Sequence, residues 1–187
     1  MGCTAFDYST LRSEYSTYEM RKIWDEENMI QKWLDVEAAI ARVQDSMGII
    51  PKDAAEEICQ KANLRYVEGE KVRGKIKKSG HLIVGLIRAF QEVLSDRSAE
   101  YLHFGICSGD ILDTGHTLVV MEAYKIIERD TKELIRILAG LAKKHKDTLM
   151  PGRTHGQASG SGRGARNEHR STPRCRLGAG VPRLPRA

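Results

Sequence analysis

Proline is nearly absent from residues 1–157, which contain only Pro51 and Pro151 of the five prolines in this 187-residue chain. Because proline breaks helix interiors, its scarcity permits long helices. Long hydrophobic runs are absent too, and no apolar stretch approaches the ~20 residues needed to span a membrane. The N-terminal residues MGCTAFDYST lack the basic region and apolar run of a secretory signal. We therefore expect a helical protein without a membrane partner.

Paired cysteines are also lacking. The four cysteines are Cys3, Cys59, Cys107 and Cys175, and no two have Cys-x-x-Cys spacing. This distribution indicates neither a zinc site nor a disulfide framework. We expect reduced thiols, a cytoplasmic location, no metal and no other cofactor.

Lysine is missing from residues 158–187, which contain seven Arg and one Glu. This segment has a balance of +6, so the net charge of +5 leaves −1 for residues 1–157. A basic tail binds polyanions without sequence specificity, so we expect no specific nucleic-acid partner. The tail has only Leu177, Val181 and Leu184 as bulky apolar residues, too few to offset the entropy of ordering, which predicts disorder.

Apolar residues recur at three- and four-residue steps through most of the body, a pattern typical of helices. Helices are predicted over residues 19–47, about 51–62, 68–78, about 80–94 and 110 to about 146. Ser16 or Thr17 can cap the first and Ser79 the fourth, and Ser95–Gly109 is predicted as an irregular link. The last helix would be about 55 Å long at ~1.5 Å per residue. Its apolar surface exceeds one stripe, which predicts partner helices from other subunits.

Two polar clusters precede predicted helices. Tyr15, Ser16 and Thr17 offer hydroxyls and free amides that can bind an anion at a helix N-terminus or simply cap it. His81 opens an apolar helix, where it can exchange protons near neutral pH or merely lie at a helix end.

Two further clusters lie later in the chain. In HFGICSGDILDTGH, residues 103–116, Ser108 and the first-turn amides can hold a carboxylate or phosphate, or Ser108 or Gly109 can act only as a cap. In PGRTHGQ, residues 151–157, two glycines allow close backbone approach to a ligand. His155 between them can act as a general acid or base.

In order and spacing, these clusters resemble the adenylosuccinate lyase branch of the fumarase/aspartase superfamily. SGHLIVGLIRAFQE is similar to the stretch around that family's first active-site histidine, HFGICSGDILDT to its HxGxTSxDxxDT segment, and MPGRTHGQ to the segment around its second catalytic histidine. The resemblance covers about residues 12–157. It implies an all-α fold, with an N-terminal helical domain over 1–109 and the first long helix of a central bundle over 110–157. An unrelated tail would follow over 158–187.

The resemblance also implies chemistry. The family breaks a C–N bond by β-elimination and releases fumarate, here from a succinyl-amine nucleotide or similar dicarboxylate of purine nucleotide biosynthesis. Developing charge on the carboxylates needs fixed donors, and the leaving nitrogen needs a proton. His155 would be the general acid, with His81 supporting it. Substrate would be bound by Tyr15, Cys107, Ser108, Thr154 and Gln157. The family is homotetrameric and needs no cofactor.

Three positions depart from the family pattern: Glu14 replaces an Arg, Leu82 an Asp and Cys107 a Thr. They leave open a sister lyase or carboxymuconate cycloisomerase-like enzyme on another carboxylated substrate, although His155 favours a lyase. A non-catalytic helical interaction protein is a further alternative.

The family continues beyond THGQ for a few hundred residues, including an SSxMPxKxN loop that carries the general base. No such loop occurs in this sequence. We therefore expect an N-terminal portion of the enzyme that is inactive by itself, with a tail produced by a frameshift or an aberrant splice or gene model.

Overall fold

The computed structural model describes residues 7–154 and 157–163. Within these ranges the chain is mainly helical, which confirms the predicted all-α class. The helices are α1 Ser9–Tyr15, α2 Tyr18–Ile23, α3 Glu26–Ser46, α4 Lys52–Lys61, α5 Gly69–Ser79, α6 Leu82–Gln91, α7 Asp96–Tyr101 and α8 Ser108–Lys144. A short hairpin follows, with strands β1 Leu149–Thr154 and β2 Gln157–Arg163.

The helix predicted over 19–47 is interrupted after Ile23. Thr17 caps α2, its hydroxyl accepting a hydrogen bond from the Met20 amide at 3.2 Å. The Asp25 carboxylate then caps α3 by accepting from the Glu27 amide at 3.4 Å. The prediction of one continuous helix was wrong because a good cap can start a new helix inside an unbroken apolar pattern.

The link Ser95–Gly109 is not wholly irregular, since it contains α7. Ser95 caps this helix by accepting from the Ser98 amide at 3.4 Å, and Ser98 is buried. One turn and a half of helix is too short to show a clear apolar period, which is why the pattern did not reveal it.

The core is formed where α3, α4, α6 and the first half of α8 bury their apolar faces. Fully buried side chains include Leu34, Ile58, Leu86, Phe90 and Ile111. Two glycines permit close helix contacts. A Cβ on Gly85 would lie 2.6 Å from the Ile76 backbone nitrogen, and one on Gly115 would lie 2.6 Å from Cδ1 of Trp33.

The chain divides into two compact units between Arg129 and Asp130, within α8. The division follows burial along α8, because its first half buries Ile111, Val119 and Ile126, whereas residues 130–144 are all exposed. The predicted domain boundary at 109/110 stays a prediction. No helix in the described ranges is long and apolar enough to cross a membrane.

Strands β1 and β2 were not predicted. They pair antiparallel from Leu149 opposite Arg163 to Thr154 opposite Gln157, with a register shift between Pro151 and Arg153. Residues 157–163 are thus strand where the sequence predicted disorder from residue 158. This segment of glycine, serine and polar residues lacks the apolar alternation that marks strands, and backbone pairing supplies its order. Residues 164–187 lie outside the described ranges.

Candidate active site

His81 occupies the junction between α5 and α6. Gly80 ends α5 with φ 68°, a left-handed conformation that glycine adopts without strain, and His81 is extended at φ −141°. The His81 Nδ1 accepts a hydrogen bond from the Val84 amide at 3.4 Å, so His81 caps α6. The predicted cap, Ser79, instead accepts from the His81 amide through its hydroxyl at 3.3 Å, because α6 starts two residues later than the pattern indicated.

The cap contact fixes the chemistry available to His81. Since Nδ1 accepts from an amide, the proton of the neutral imidazole lies on Nε2. The ring is exposed, and Leu82 beside it is 45% exposed. His81 therefore presents Nε2 as its proton-exchanging atom. Leu82 adds an apolar surface where the family pattern has a carboxylate.

The segment before α8 has an unusual backbone. This α7–α8 connection, residues 102–107, contains His103 at φ 61° and Gly105 at φ 68°. Nδ1 of His103 lies 2.7 Å from Oε1 of Glu37, whose side chain is 1% exposed. Burial raises the pKa of the Glu37 carboxyl, and the hydrogen bond from His103 partly opposes that rise. The pair is a tertiary contact, since 66 positions separate the two residues.

Cys107 and Asp110 close the N-terminus of α8. The Cys107 amide donates to Oδ2 of Asp110 at 3.0 Å, and the Asp110 amide donates to the Cys107 carbonyl at 3.0 Å. The helix begins at Ser108, so the flanking position belongs to Cys107 and not to Ser108 or Gly109 as expected. The Cys107 thiol is free and exposed, and Ser108 is half-buried. The first-turn amides of α8 thus stand beside a hydroxyl and a thiol, an arrangement suited to an anion.

Tyr15 is the last residue of α1 and is 63% exposed. Next to it, Nη1 of Arg21 donates to the Ser16 carbonyl at 2.8 Å and to the Ser16 hydroxyl at 3.1 Å. This guanidinium places a positive charge at Ser16, the residue that follows Tyr15 in the sequence.

Two more of the predicted residues, Thr154 and Gln157, lie in the hairpin. Thr154 and Gln157 are partners at its closed end, while His155 lies outside the described residues, so its role as general acid stays a prediction. No hydrogen bond within the described ranges joins Cys107 or Ser108 to His81. Each of the predicted residues whose side chain the structure describes, namely Tyr15, His81, Cys107 and Ser108, lies at a helix end.

Sequence reasoning missed Glu37. It lies on the buried face of α3 among Val36, Ala38 and Ala41, where only apolar residues were expected. The available signal was a charged residue inside an apolar stripe, next to a cluster that included His103. No group of three or more metal-binding side chains occurs among the described residues.

A family model described as Lyase matches residues 12–161, which is most of the chain. The chain belongs to this lyase family. It is 49% identical over 143 residues to the adenylosuccinate lyase of Methanocaldococcus jannaschii, covering 76% of this chain and 31% of that protein. The resemblance to adenylosuccinate lyases is therefore confirmed.

Two further proteins are similar over most of the chain. The N-acetyl-S-(2-succino)cysteine lyase of Dickeya dadantii is 35% identical over 156 residues, 83% of this chain and 34% of that protein. The structure of the 3-carboxy-cis,cis-muconate lactonizing enzyme from Pseudomonas putida superposes with a TM-score of 0.75 at 30% identity, over 80% of this chain and 34% of that one. The chain thus spans about a third of the length of these relatives.

Proposed function

We propose that this chain supplies part of the active site of an adenylosuccinate lyase-like enzyme, which cleaves a C–N bond by β-elimination and releases fumarate. The observation that carries the proposal is the 49% identity over 143 residues to the Methanocaldococcus jannaschii enzyme. The helix-end geometry of the candidate site supports it, because fixed donors at helix termini can stabilise developing carboxylate charge.

The candidate site residues have different roles in the proposed reaction. His155 protonates the departing nitrogen, and His81 supports this proton transfer through Nε2, the ring nitrogen that its capping contact leaves available. Ser108, beside the first-turn amides of α8, binds a substrate carboxylate. Cys107 lies at the edge of that position. Thr154 and Gln157 are further proposed substrate-binding residues.

Tyr15 lies in the part of the site proposed for the nucleotide phosphate. Arg21, hydrogen-bonded to Ser16, provides the positive charge that a phosphate requires. The substrate class is accordingly a succinyl-amine nucleotide of purine biosynthesis, and the proposed location is the cytoplasm.

A homo-oligomer is also part of the proposal. Large apolar side chains are exposed along the second part of α8, including Leu134, Ile135, Ile137, Leu138 and Leu141. Such side chains line more than one stripe of the helix, so further helices are needed to cover them. Other copies of the enzyme would provide them.

The function is tested by replacing the matched 143-residue region of the Methanocaldococcus jannaschii enzyme with that of this chain. We expect the chimera to release fumarate from adenylosuccinate, measured by ultraviolet absorbance. A His155→Gln variant should lower kcat at least about a hundredfold because the leaving nitrogen loses its proton donor. The chain by itself, assayed in parallel, should give no fumarate.

The control is Glu56→Gln in the same chimera, since Glu56 is an exposed residue of α4 that pairs with Lys52 at 3.6 Å. This variant should keep full activity. A folded chimera without turnover of adenylosuccinate, or a His155→Gln chimera as active as its parent, would contradict the proposed function.

A further inference from the structure

Helix α3 holds the α7–α8 connection at two points. Oε1 of Glu37 lies 2.7 Å from Nδ1 of His103, and Nε2 of Gln44 donates to the Phe104 carbonyl at 2.7 Å. Seven residues, nearly two helical turns, separate Glu37 from Gln44, so both side chains leave the same face of α3. Two neighbouring residues of the connection are therefore attached to one helix face.

The contact between Glu37 and His103 carries a cost in folding free energy. A carboxylate that is 1% exposed loses its hydration, and replacement of a whole buried pair by apolar side chains of similar volume often gives equal or higher stability. His103, its partner, adopts φ 61°, which is strained for a residue with a side chain. Global stability alone does not explain this combination, whereas a requirement for one defined backbone path does.

The path in question leads to the candidate active site. His103 and Phe104 lie three to five residues before Cys107 and Ser108, and Gly105 between them makes a second left-handed turn. The Cys107 amide then bonds to Asp110 at the start of α8. A shift of the connection would therefore move the thiol and hydroxyl relative to the first-turn amides.

We propose that Glu37 is a positioning residue, which holds His103 in its left-handed conformation and thereby places Cys107 and Ser108 at the N-terminus of α8. Gln44 assists by holding Phe104. The inference rests on the proposed function, because it concerns the placement of residues of that site. Its contacts, however, are internal to the chain and can be measured without substrate.

The test compares Glu37→Met with Glu37→Gln in the full chain. Methionine fills the space without a hydrogen bond, whereas glutamine keeps an acceptor for His103. We expect Glu37→Met to exchange the Cys107 and Asp110 amide hydrogens at least about tenfold faster, which corresponds to about 1.4 kcal/mol. The amide hydrogens of α4 should lose less protection than those of Cys107 and Asp110, which distinguishes a local effect from a global one. Glu37→Gln should retain most of the protection and the nitrogen chemical shifts of the His103 ring.

Unchanged exchange at Cys107 and Asp110 in folded Glu37→Met would overturn the proposal, as would equal effects of the two substitutions. If Glu37→Met does not fold, Gln44→Ala decides, because Gln44 lies at the end of α3 outside the core. This variant should accelerate amide hydrogen exchange at Cys107 severalfold and leave the α4 amides protected. No acceleration at Cys107 would reject the proposal that α3 positions the α7–α8 connection.

The outcome is separable from that of the lyase proposal. If amide exchange is faster in Glu37→Met while the parent chimera is inactive, the proposed lyase function is contradicted and the positioning role of Glu37 is supported. If exchange is unchanged while the chimera is active, the positioning role is contradicted and the lyase function is supported.

Discussion

Glu57 joins α4 to α7, and its replacement provides the sharpest test of how this fold is stabilised. Oε1 accepts from Lys61 Nζ at 2.8 Å and from the Ser95 amide at 3.0 Å, while Oε2 accepts from the Ser95 and Ser98 hydroxyls at 2.6 Å each. Lys61 also donates to the Val93 carbonyl at 2.6 Å. One carboxylate thus fixes both the cap of α7 and its attachment to α4.

These four donors lower the pKa of Glu57 from an ordinary 4.5 to about 2, with the Lys61 contact as the largest cause. Since one pKa unit corresponds to about 1.4 kcal/mol, the shift sets an upper bound of about 3 kcal/mol on the stabilisation. The side chain is 22% exposed, so water competes for part of it. We expect Glu57→Gln to lower the free energy of unfolding by about 1–2 kcal/mol at neutral pH.

The pH dependence has a definite sign. Because folding lowers the pKa, the contribution is complete above the unfolded value near 4.5 and is lost as the pH falls toward 2. Urea denaturation followed by circular dichroism, at several pH values between about 6 and 2.5, should show the wild type and Glu57→Gln converging in acid. A Glu56→Gln variant serves as control, since that side chain is 69% exposed and its pair with Lys52 at 3.6 Å contributes little.

Two results would refute this reasoning. One is a Glu57→Gln effect no larger than that of Glu56→Gln at neutral pH. The other is a difference between wild type and Glu57→Gln that persists unchanged at pH values near 2.5, because a carboxylate whose pKa falls from 4.5 to about 2 on folding has lost most of its contribution at that pH.

Two glycine substitutions test the close helix contacts. Gly85→Ala should cost about 3 kcal/mol or more, because its Cβ would lie 2.6 Å from backbone nitrogen of Ile76, which cannot move aside. Gly74→Ala on the neighbouring helix meets nothing within 4 Å and should stabilise by about 0.5–1 kcal/mol, so equal urea midpoints for the two would contradict the packing. Gly115→Ala should cost about 1–3 kcal/mol and alter Trp33 fluorescence, since the side chain in its way can shift. An unchanged spectrum and midpoint would rule out this α3–α8 contact.

The sequence was sufficient to predict the longer helices because each buries an amphipathic face. Helix α8 was predicted from residue 110 and begins at Ser108. The errors in helix prediction occur where a local capping residue decides where a helix begins. Asp25 starts α3 inside a continuous apolar pattern. Ser95 starts α7, and the Ser95 and Ser98 hydroxyls donate to Glu57, which lies 38 and 41 positions away in the sequence. Neither event changes the apolar period, so periodicity alone does not reveal it.

The helix-end positions of the candidate residues were predictable for a related reason, while their roles in a site stay predictions. Tyr15, His81 and Ser108 lie at helix ends, where free amides and unusual backbone angles need particular residue types close together in sequence. Glu37 lies in the middle of a helix and meets His103 across 66 positions. This tertiary contact is not encoded in any local spacing. The helix-end positions can therefore be found from sequence, whereas the proposed positioning residue Glu37 is found only from its contact with His103.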